Sequence, residues 1–359
     1  LEDGEYMSNE NLSRRTWVDI TFQGANITNS IRPYLLSLTY TDNEDGEADD
    51  LQLRLQDRAQ VWQEKWLEDM VNAASSGKFK INADIVMENW MGGGKDIRLP
   101  CGEFELDSVE ASGPPSVVVV KATALPFSSS IRQTKKTKAW ESYTLSGIAN
   151  QMAGQNGMKC MYEAASNPSY DRIEQNKQSD IKLLERLCKD AGLSLKATDK
   201  MIVIFDQSKF EKKAPVRTIT KGRGYISYSL RASTAGTQYT SCRVSWSDPL
   251  TAKKIEGIAR VDDYDEEAKN NQQLEIKAKV SSAGEAKAIA EKRLRMHNKF
   301  SKTGKFTFPG EPALLAGNTV QLDKWGAFDG KYLISQAVHK VDSNGYTTTA
   351  QIRRIIGGY

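Results

Sequence analysis

The stretch QSDIKLLERLCKDAGLSLKATDKMIVIFD, Gln178 to Asp206, reads as an amphipathic helix running straight into a β-hairpin. Ile181, Leu184, Cys188 and Ala191, with Leu183 and Leu187 beside them, recur at the spacing of one apolar helix face. Lys182, Glu185, Arg186, Lys189 and Asp190 fill the opposite face. Ser179 is placed to accept bonds from the first free N–H groups, Asp180 suits the positive end of the helix dipole, and Gly192 can close the last turn in the left-handed conformation. Beyond it Leu193, Leu195 and Ala197 alternate with Ser194 and Lys196. Thr198 to Lys200 can turn the chain, and Met201 to Phe205 is an apolar run suited to a buried strand. The unit holds no reactive constellation, so its expected role is packing.

The surroundings bound what else the chain can be. Its 359 residues suffice for two or three domains, with 26% charged residues, 39% hydrophobic ones and a net charge of only +3. That balance gives no general reason to bind nucleic acid or an anionic membrane surface. No apolar run reaches the ~18 residues of a membrane span. The first residues, LEDGEYMSNENLSRR, lack the apolar core of a signal peptide, so the expected site of synthesis is a cytoplasm. Cys101, Cys160, Cys188 and Cys242 form no CxxC pair, which suggests neither a zinc site nor a disulfide framework.

Before the opening unit, alternating or apolar runs predict strands at Trp17 to Phe22, Tyr34 to Tyr40, Leu51 to Leu55, Phe79 to Trp90, Ile97 to Val109 and Ser116 to Leu125. A helix is expected from Arg58 to Met70, where Val61, Trp62, Trp66, Leu67 and Met70 share a face. Strands, one helix and more strands suggest a closed or nearly closed barrel with a covering helix over residues 1–125. From 126 to 213 a small α/β domain is expected: a polar, basic stretch, Pro126 to Lys138, then a helix from Tyr143 to Asn156 opened by Thr144 or Ser142, then the opening unit. From 214 to 359 strands return, with a long helix over 284–300 whose buried face is Ala286, Ile289, Ala290, Leu294 and His297. A terminal hairpin turns at Ser343-Asn344-Gly345.

The two ends also resemble each other. GEFELDSVEASGPPSVVVVKATA, from Gly102, and GKYLISQAVHKVDSNGYTTTAQIR, from Gly330, both start with Gly, a charged residue and an aromatic, and turn at nearly the same offset. A duplicated barrel follows, chance likeness between two amphipathic hairpins being the competing explanation. In this reading the helix over 284–300 is the counterpart of the one after Arg58. The expected fold class is α+β, mainly β: two tube-like antiparallel β-barrel domains, each with a helix, flanking a small α/β domain.

Motifs for chemistry are weak. Gly92-Gly93-Gly94-Lys95 lacks the earlier Gly, the following Ser or Thr and the helix of a phosphate loop, and reads as a hairpin loop. The acidic run from Asp42 to Asp50 lacks the twelfth-position carboxylate of a calcium loop and reads as a solvated turn whose acidic surface faces a basic partner. His297 and His339 are the only histidines; structural roles are expected for both. Asp262 with Asp263, or Glu266 with Glu267, cannot be placed across a cleft from sequence. Trp62, Trp66, Trp90 and Trp246 are expected in the core or at interfaces. Basic residues at Arg132 to Lys138 and Lys221 to Arg223 lack aromatic interleaving, which favours solvated linkers or contacts to an acidic protein. No catalytic, cofactor-binding or metal-binding residue is singled out, no cofactor is expected, and no interface residue can be named.

Three stretches together resemble the phage late control protein D family, the tail hub proteins of contractile phages and related injection systems, similar in fold to the base of VgrG-type spikes. They are TDNEDGEADDLQLRLQDRAQVW from Thr41, the opening stretch, and AGNTVQLDKWGAFDGKYLISQAVHKVDSNGYTTTAQIRR from Ala316. The resemblance implies a non-enzymatic baseplate hub in the tail of a virion or phage-like particle. It also implies a homotrimer, each protomer giving two tube-like barrels to a ring of six that joins a hexameric tail tube protein to a trimeric central spike protein. Tape-measure and baseplate wedge proteins are further partners to expect; nucleic-acid specificity and a membrane span are not. The chain departs from larger VgrG-type members in carrying no repetitive β-spike and no hydrolase domain before Tyr359. The competing readings are a tail-associated peptidoglycan hydrolase, resting on scattered carboxylates and tryptophans, and a carbohydrate-binding host-recognition module.

Overall fold

The computed structural model describes residues 13–60, 62, 79–92, 94–124, 130–164, 166–198, 200–233, 239–247, 253–261, 264–267 and 271–355. Apolar alternation does most of the work. Leu51, Leu53 and Leu55 are buried while Arg54 between them is exposed, as a strand with one wet face requires. In chain order the first strands are β1 (Arg15–Phe22), β2 (Ala25–Asn26), β3 (Leu35–Asn43), β4 (Asp50–Gln56), β5 (Lys80–Glu88), β6 (Ile97–Ser112) and β7 (Val117–Thr123). The middle of the chain adds β8 (Lys135–Thr144), β9 (Lys159–Glu163), β10 (Ser169–Ser179), β11 (Ser194–Ala197) and β12 (Met201–Phe205), with helices at Leu145–Gln155, Asp180–Ala191 and Gln207–Glu211. The last part holds β13 (Arg217–Thr220), β14 (Ser227–Ala232), β15 (Ser241–Ser247), β16 (Lys254–Arg260), β17 (Gln273–Lys277), the helix Ala283–Asn298, β18 (Lys302–Pro309), β19 (Thr319–Asp323), β20 (Gly330–Asp342) and β21 (Gly345–Arg354). The helix expected after Arg58 lies, apart from its first residues and Trp62, outside the described residues.

Strands from both ends of the chain share one 13-stranded sheet, in the order β14-β18-β21-β20-β3-β4-β7-β6-β5-β1-β2, with β19 and β13 branching from β20. The mainly β class is therefore as expected, but two barrels each closed on itself are not found among the described residues. A strand has two edges, and β3 gives one to β4 and the other to β20 of the opposite repeat. Among the described residues the sheet ends at β14, at β2 and, on its branch, at β13.

Within that sheet a five-strand unit occurs twice in the same register. The pairs Asp50 to Gln56 with Thr123 to Val117 reappear as Thr303 to Pro309 with Arg353 to Thr347. Thr41↔Asp50 reappears as Arg231↔Thr303, and Lys80↔Glu105 as Thr319↔Leu333. Each long hairpin skips one residue at the same place, Asp107 in β6 and Ser335 in β20, five positions after a glycine of positive φ, Gly102 (+105°) or Gly330 (+135°). A bulge and a left-handed glycine at matching offsets are not demanded by amphipathic alternation, so chance likeness between two hairpins does not account for them. The units are β3-β4-β7-β6-β5 and β14-β18-β21-β20-β19.

Two insertions interrupt this pattern. Residues 130–205 form a unit of their own, in which the helices Leu145–Gln155 and Asp180–Ala191 pack with β9, β11 and β12 around Leu145, Ile148, Leu184, Leu187, Ile202 and Ile204. Gly192 takes φ +68°, and Leu193 N donates to Cys188 O at 2.8 Å, the expected C-terminal closure. At the other end, Ser179 Oγ is buried without a partner among the described residues. Ser179 is the last residue of β10 and pairs with Lys135, so it stands in a strand while Asp180 takes the polar contacts. The Asp180 carboxylate, buried, accepts from Lys136 Nζ (2.5 Å), Gln175 Nε2 (2.8 Å) and Asn156 Nδ2 (3.2 Å). The ribbon of β8 and β10 was not expected, because Lys135–Thr144 and Ser169–Ser179 are polar on both faces.

The second insertion separates β14 from β18. Helix Ala283–Asn298 covers the β16-β15-β17 sheet through Ala286, Ala290 and Leu294 against Cys242, Val244 and Ala259. It comes so close that a Cβ on Gly257 would meet Lys287 N at 2.2 Å. This corrects two expectations. The helix is not the counterpart of the one expected after Arg58, since it falls between β14 and β18, whereas residues 58–70 fall between β4 and β5. His297 is not on its buried face but exposed, edge-on to Tyr239 at 5.6 Å, because Leu294 and Asn298 occupy the positions that turn inward.

Candidate assembly site

The residues that join the repeats and the middle unit are the ones read as a solvated acidic turn. The turn between β3 and β4 is instead largely buried, with Asp42, Asn43, Glu44 and Asp49 all under a tenth exposed. Its basic partners are within the chain. Lys196 of β11 lies 2.9 Å from Asp42 Oδ1 and 3.0 Å from Asp49 Oδ2, and donates to Asn43 O at 2.9 Å. Burial pulls the Lys196 pKa down, but the two carboxylates outweigh it and hold the ammonium above its ordinary value. Asp45 extends the contact, accepting from Ser194 Oγ (2.8 Å), Leu195 N (3.1 Å) and Gln207 Nε2 (3.2 Å).

On its other side the turn grips the second repeat. Arg353, at the end of β21 and 1% exposed, donates to Glu44 Oε1 from Nη2 (3.0 Å) and to Glu211 Oε1 from Nη1 (2.8 Å). Burial works against its charge, yet Glu44 and Glu211 more than compensate and raise its pKa. Glu44 N donates to Ser335 O at 3.0 Å, so the bulge of β20 supplies an acceptor to the same turn. Three parts of the chain, far apart in sequence, thus meet through desolvated ion pairs. Such pairs fix geometry more than they add stability.

Beside this knot runs the seam of β3 and β20, from Gln336↔Asn43 to Asp342↔Ser37. His339 is fully buried there, 5.9 Å from and stacked on Tyr40. Its Nδ1 is 2.7 Å from Tyr346 Oη and its Nε2 3.1 Å from Leu314 O. Burial pushes the His339 pKa down to about 4, with Asp42 pulling the other way. Both ring nitrogens are occupied by structural partners, the role expected for this histidine.

The remaining sequence candidates lie apart. The Gly92 to Lys95 loop joins β5 to β6, with Gly94 N held by Asn89 Oδ1 at 2.9 Å, and no helix follows. Trp62 is buried 6.3 Å from Tyr34, Trp90 donates to Gly310 O at 3.2 Å, and Trp246 packs in the second insertion. Trp66, Asp262 and Asp263 are outside the described residues. Glu266 and Glu267 are exposed, Glu266 pairing with Arg260 at 3.2 Å. In the basic stretch Lys136 goes to Asp180 and Lys138 sits 3.6 Å over Trp140, while Lys221 to Arg223 form an exposed turn. The four cysteines are free, three of them buried. Sequence reasoning missed Lys196, Arg353 and Glu211. The signal available was an acidic turn beside strands carrying isolated basic residues, which does not say which ones meet.

The family model described as phage tail baseplate hub (GPD) matches residues 106–345, more than half of the chain. A "Probable baseplate hub protein" of Escherichia phage P2 is 29% identical over 208 residues, 55% of this chain and 48% of the relative. The chain thus spans about half the length of the curated relatives it matches. Among solved structures, a 43 kDa tail protein of prophage MuSo2 from Shewanella oneidensis has TM-score 0.66 at 16% identity, covering 94% of this chain and 98% of that one. A chain of the Francisella PdpA–VgrG complex has TM-score 0.53 at 11% identity, covering 98% of this chain and 54% of that one. These two likenesses concern the fold.

Proposed function

The chain belongs to the phage tail baseplate hub family, and from that premise we propose that three copies form a ring of six equivalent units joining a hexameric tail tube to a trimeric central spike. The observation that carries this reading is the five-strand unit repeated in one register, since two like units per chain let a threefold assembly present sixfold geometry. Each repeat is then one tube-like barrel module, completed by neighbouring strands in the ring. The polar sheet face with Thr39, Thr41 and Arg54, and its counterpart with Ser229, Arg231 and Thr307, lines the channel. We divide the chain at 1–125, 126–213 and 214–359 into one repeat, a bracing unit, and a second repeat carrying its own insertion; apolar clusters centred in these parts support this, the first also taking in Val341 and Tyr346 of the last. The middle unit braces the ring from outside through Lys196 and the acidic turn.

In this role the chain is a structural component without catalysis or cofactor. Its partners are the tube protein, the spike protein and, around them, tape-measure and baseplate wedge proteins, assembled in the bacterial cytoplasm into a tail baseplate. A cryo-electron map of the parent particle tests it. Three chains between the last tube ring and the spike are expected; density elsewhere, or a tube–spike joint that persists when the chain is deleted, overturns it.

A further inference from the structure

The repeat relation leaves two strand edges without their counterparts. In the second repeat, the distal half of β20 is covered along its outer edge by β3. The matching half of β6, from Ser108 to Ser112, pairs with β7 alone among the described residues, and Glu110, Ala111 and Ser112 are exposed. In the first repeat β3 pairs on both sides, with β4 and β20. Among the described residues its counterpart β14 pairs with β18 alone, and Ser229, Arg231 and Ala232 are exposed. One repeat therefore ends in an open β6 edge and the other in an open β14 edge, and the internal seam shows how edges of these two kinds fit.

We propose that β14 of one chain adds antiparallel to the distal half of β6 of a second copy, reproducing between chains the seam that β3 and β20 make within one. This inference rests on the ring reading above and names the surface that closes the ring. The register follows from the internal seam. Thr41↔Val338 becomes Arg231↔Glu110, Tyr40↔His339 becomes Leu230↔Ala111, and Thr39↔Lys340 becomes Ser229↔Ser112. Arg231 thereby falls directly opposite Glu110, an opposite-charge pair that the repeat relation was not chosen to produce. Glu110 already lies 2.5 Å from Lys121 on β7, so the incoming guanidinium joins a carboxylate that is aimed at this sheet face. The contact is head to tail: the two edges differ, so it propagates around an axis rather than stopping at a pair. Small side chains at Ala111 and Ser112, and the lack of a proline within 108–112, leave the β6 edge open to an incoming backbone.

Cysteine pairing tests the register. Directly opposed residues in an antiparallel pair bring Cα atoms to about 4.5–5.5 Å, within disulfide reach. A full-length S112C/S229C chain, mildly oxidised, is expected to give covalent multimers from most of its chains. The single variants and the shifted pair S112C/R231C should give at least tenfold less. Mixing separate S112C and S229C chains should stop at covalent dimers. Glu110→Arg should weaken association at least tenfold at low salt, and adding Arg231→Glu in the same chain should restore it. Light scattering on the same samples separates the two claims. Multimers in solution without matched-pair cross-linking overturn the edge pairing and leave the ring; a chain that stays monomeric at every concentration overturns the ring and the pairing with it.

Discussion

The two repeats share a sheet register but use their β-strand connections in opposite ways. Between β3 and β4 the first repeat has six residues, Glu44 to Asp49, of which Glu44, Asp45 and Asp49 bind Arg353, Ser194 and Lys196. Between the matching β14 and β18 the second repeat carries an insertion with its own sheet, helix and apolar cluster. The short turn is a clamp and the long connection is an added body. The lesson is that the same backbone pairing tolerates very different connections, because a loop's length costs little once its ends are fixed.

The comparison can be broken most severely at the clamp's far side. Leu184 is fully buried in the middle unit, so Leu184→Asp should cost ~5 kcal/mol or more through cavity and unpaired charge. In urea it should unfold the middle unit while the large sheet keeps its transition, and an unchanged profile would remove this helix from its central place. Next is Arg353→Met, which takes the ion-pair partner from buried Glu44 and leaves buried Glu211 only Arg295 at 4.0 Å, and should cost about 4 kcal/mol. At the matching position of the first repeat, Thr123→Ala should cost below ~1 kcal/mol. Equal losses at both sites would deny that only one repeat carries the clamp.

The seam gives a pH-dependent distinction. His339, whose folded pKa is lowered to about 4 by burial, takes up no proton between pH 6.5 and 4, where the unfolded chain does. Stability should therefore fall as pH drops through that window, by about 3 kcal/mol, and the slope should shrink in His339→Gln. Its counterpart Ala111 can make no such contribution. The smallest effect belongs to Glu103, held down to about 2 by hydrogen bonds from Lys200 and Lys80. Its contribution is present above pH 4.5 and lost as pH falls toward 2. Solvent screening keeps it below about 1 kcal/mol, as thermal melts of Glu103→Gln at pH 7 and pH 2 should show.

Much of this was legible in local pattern. Helix Asp180–Ala191 and its Gly192 closure follow from one apolar face and one glycine, and the β6 and β20 hairpins from alternation around turn residues. What stayed hidden depends on distance. Nothing around Glu44 announces that its cation lies 309 positions away at Arg353, and polar strands such as β8 and β10 lack the alternation that marks a sheet with one buried face. The duplication lay between these cases. Gly102 and Gly330 set the right alignment, but the long helix was matched to the wrong connection, because element order cannot tell an insertion between β14 and β18 from one between β4 and β5.

In the proposed ring two like units per chain meet head to tail around one axis. Cryo-electron microscopy of the purified chain, with its mass from light scattering, measures this directly. The expected particle has three times the chain's mass and six similar lobes of alternating kind around an open channel. A particle with a twofold axis, or lobes that do not number two per chain, would contradict it.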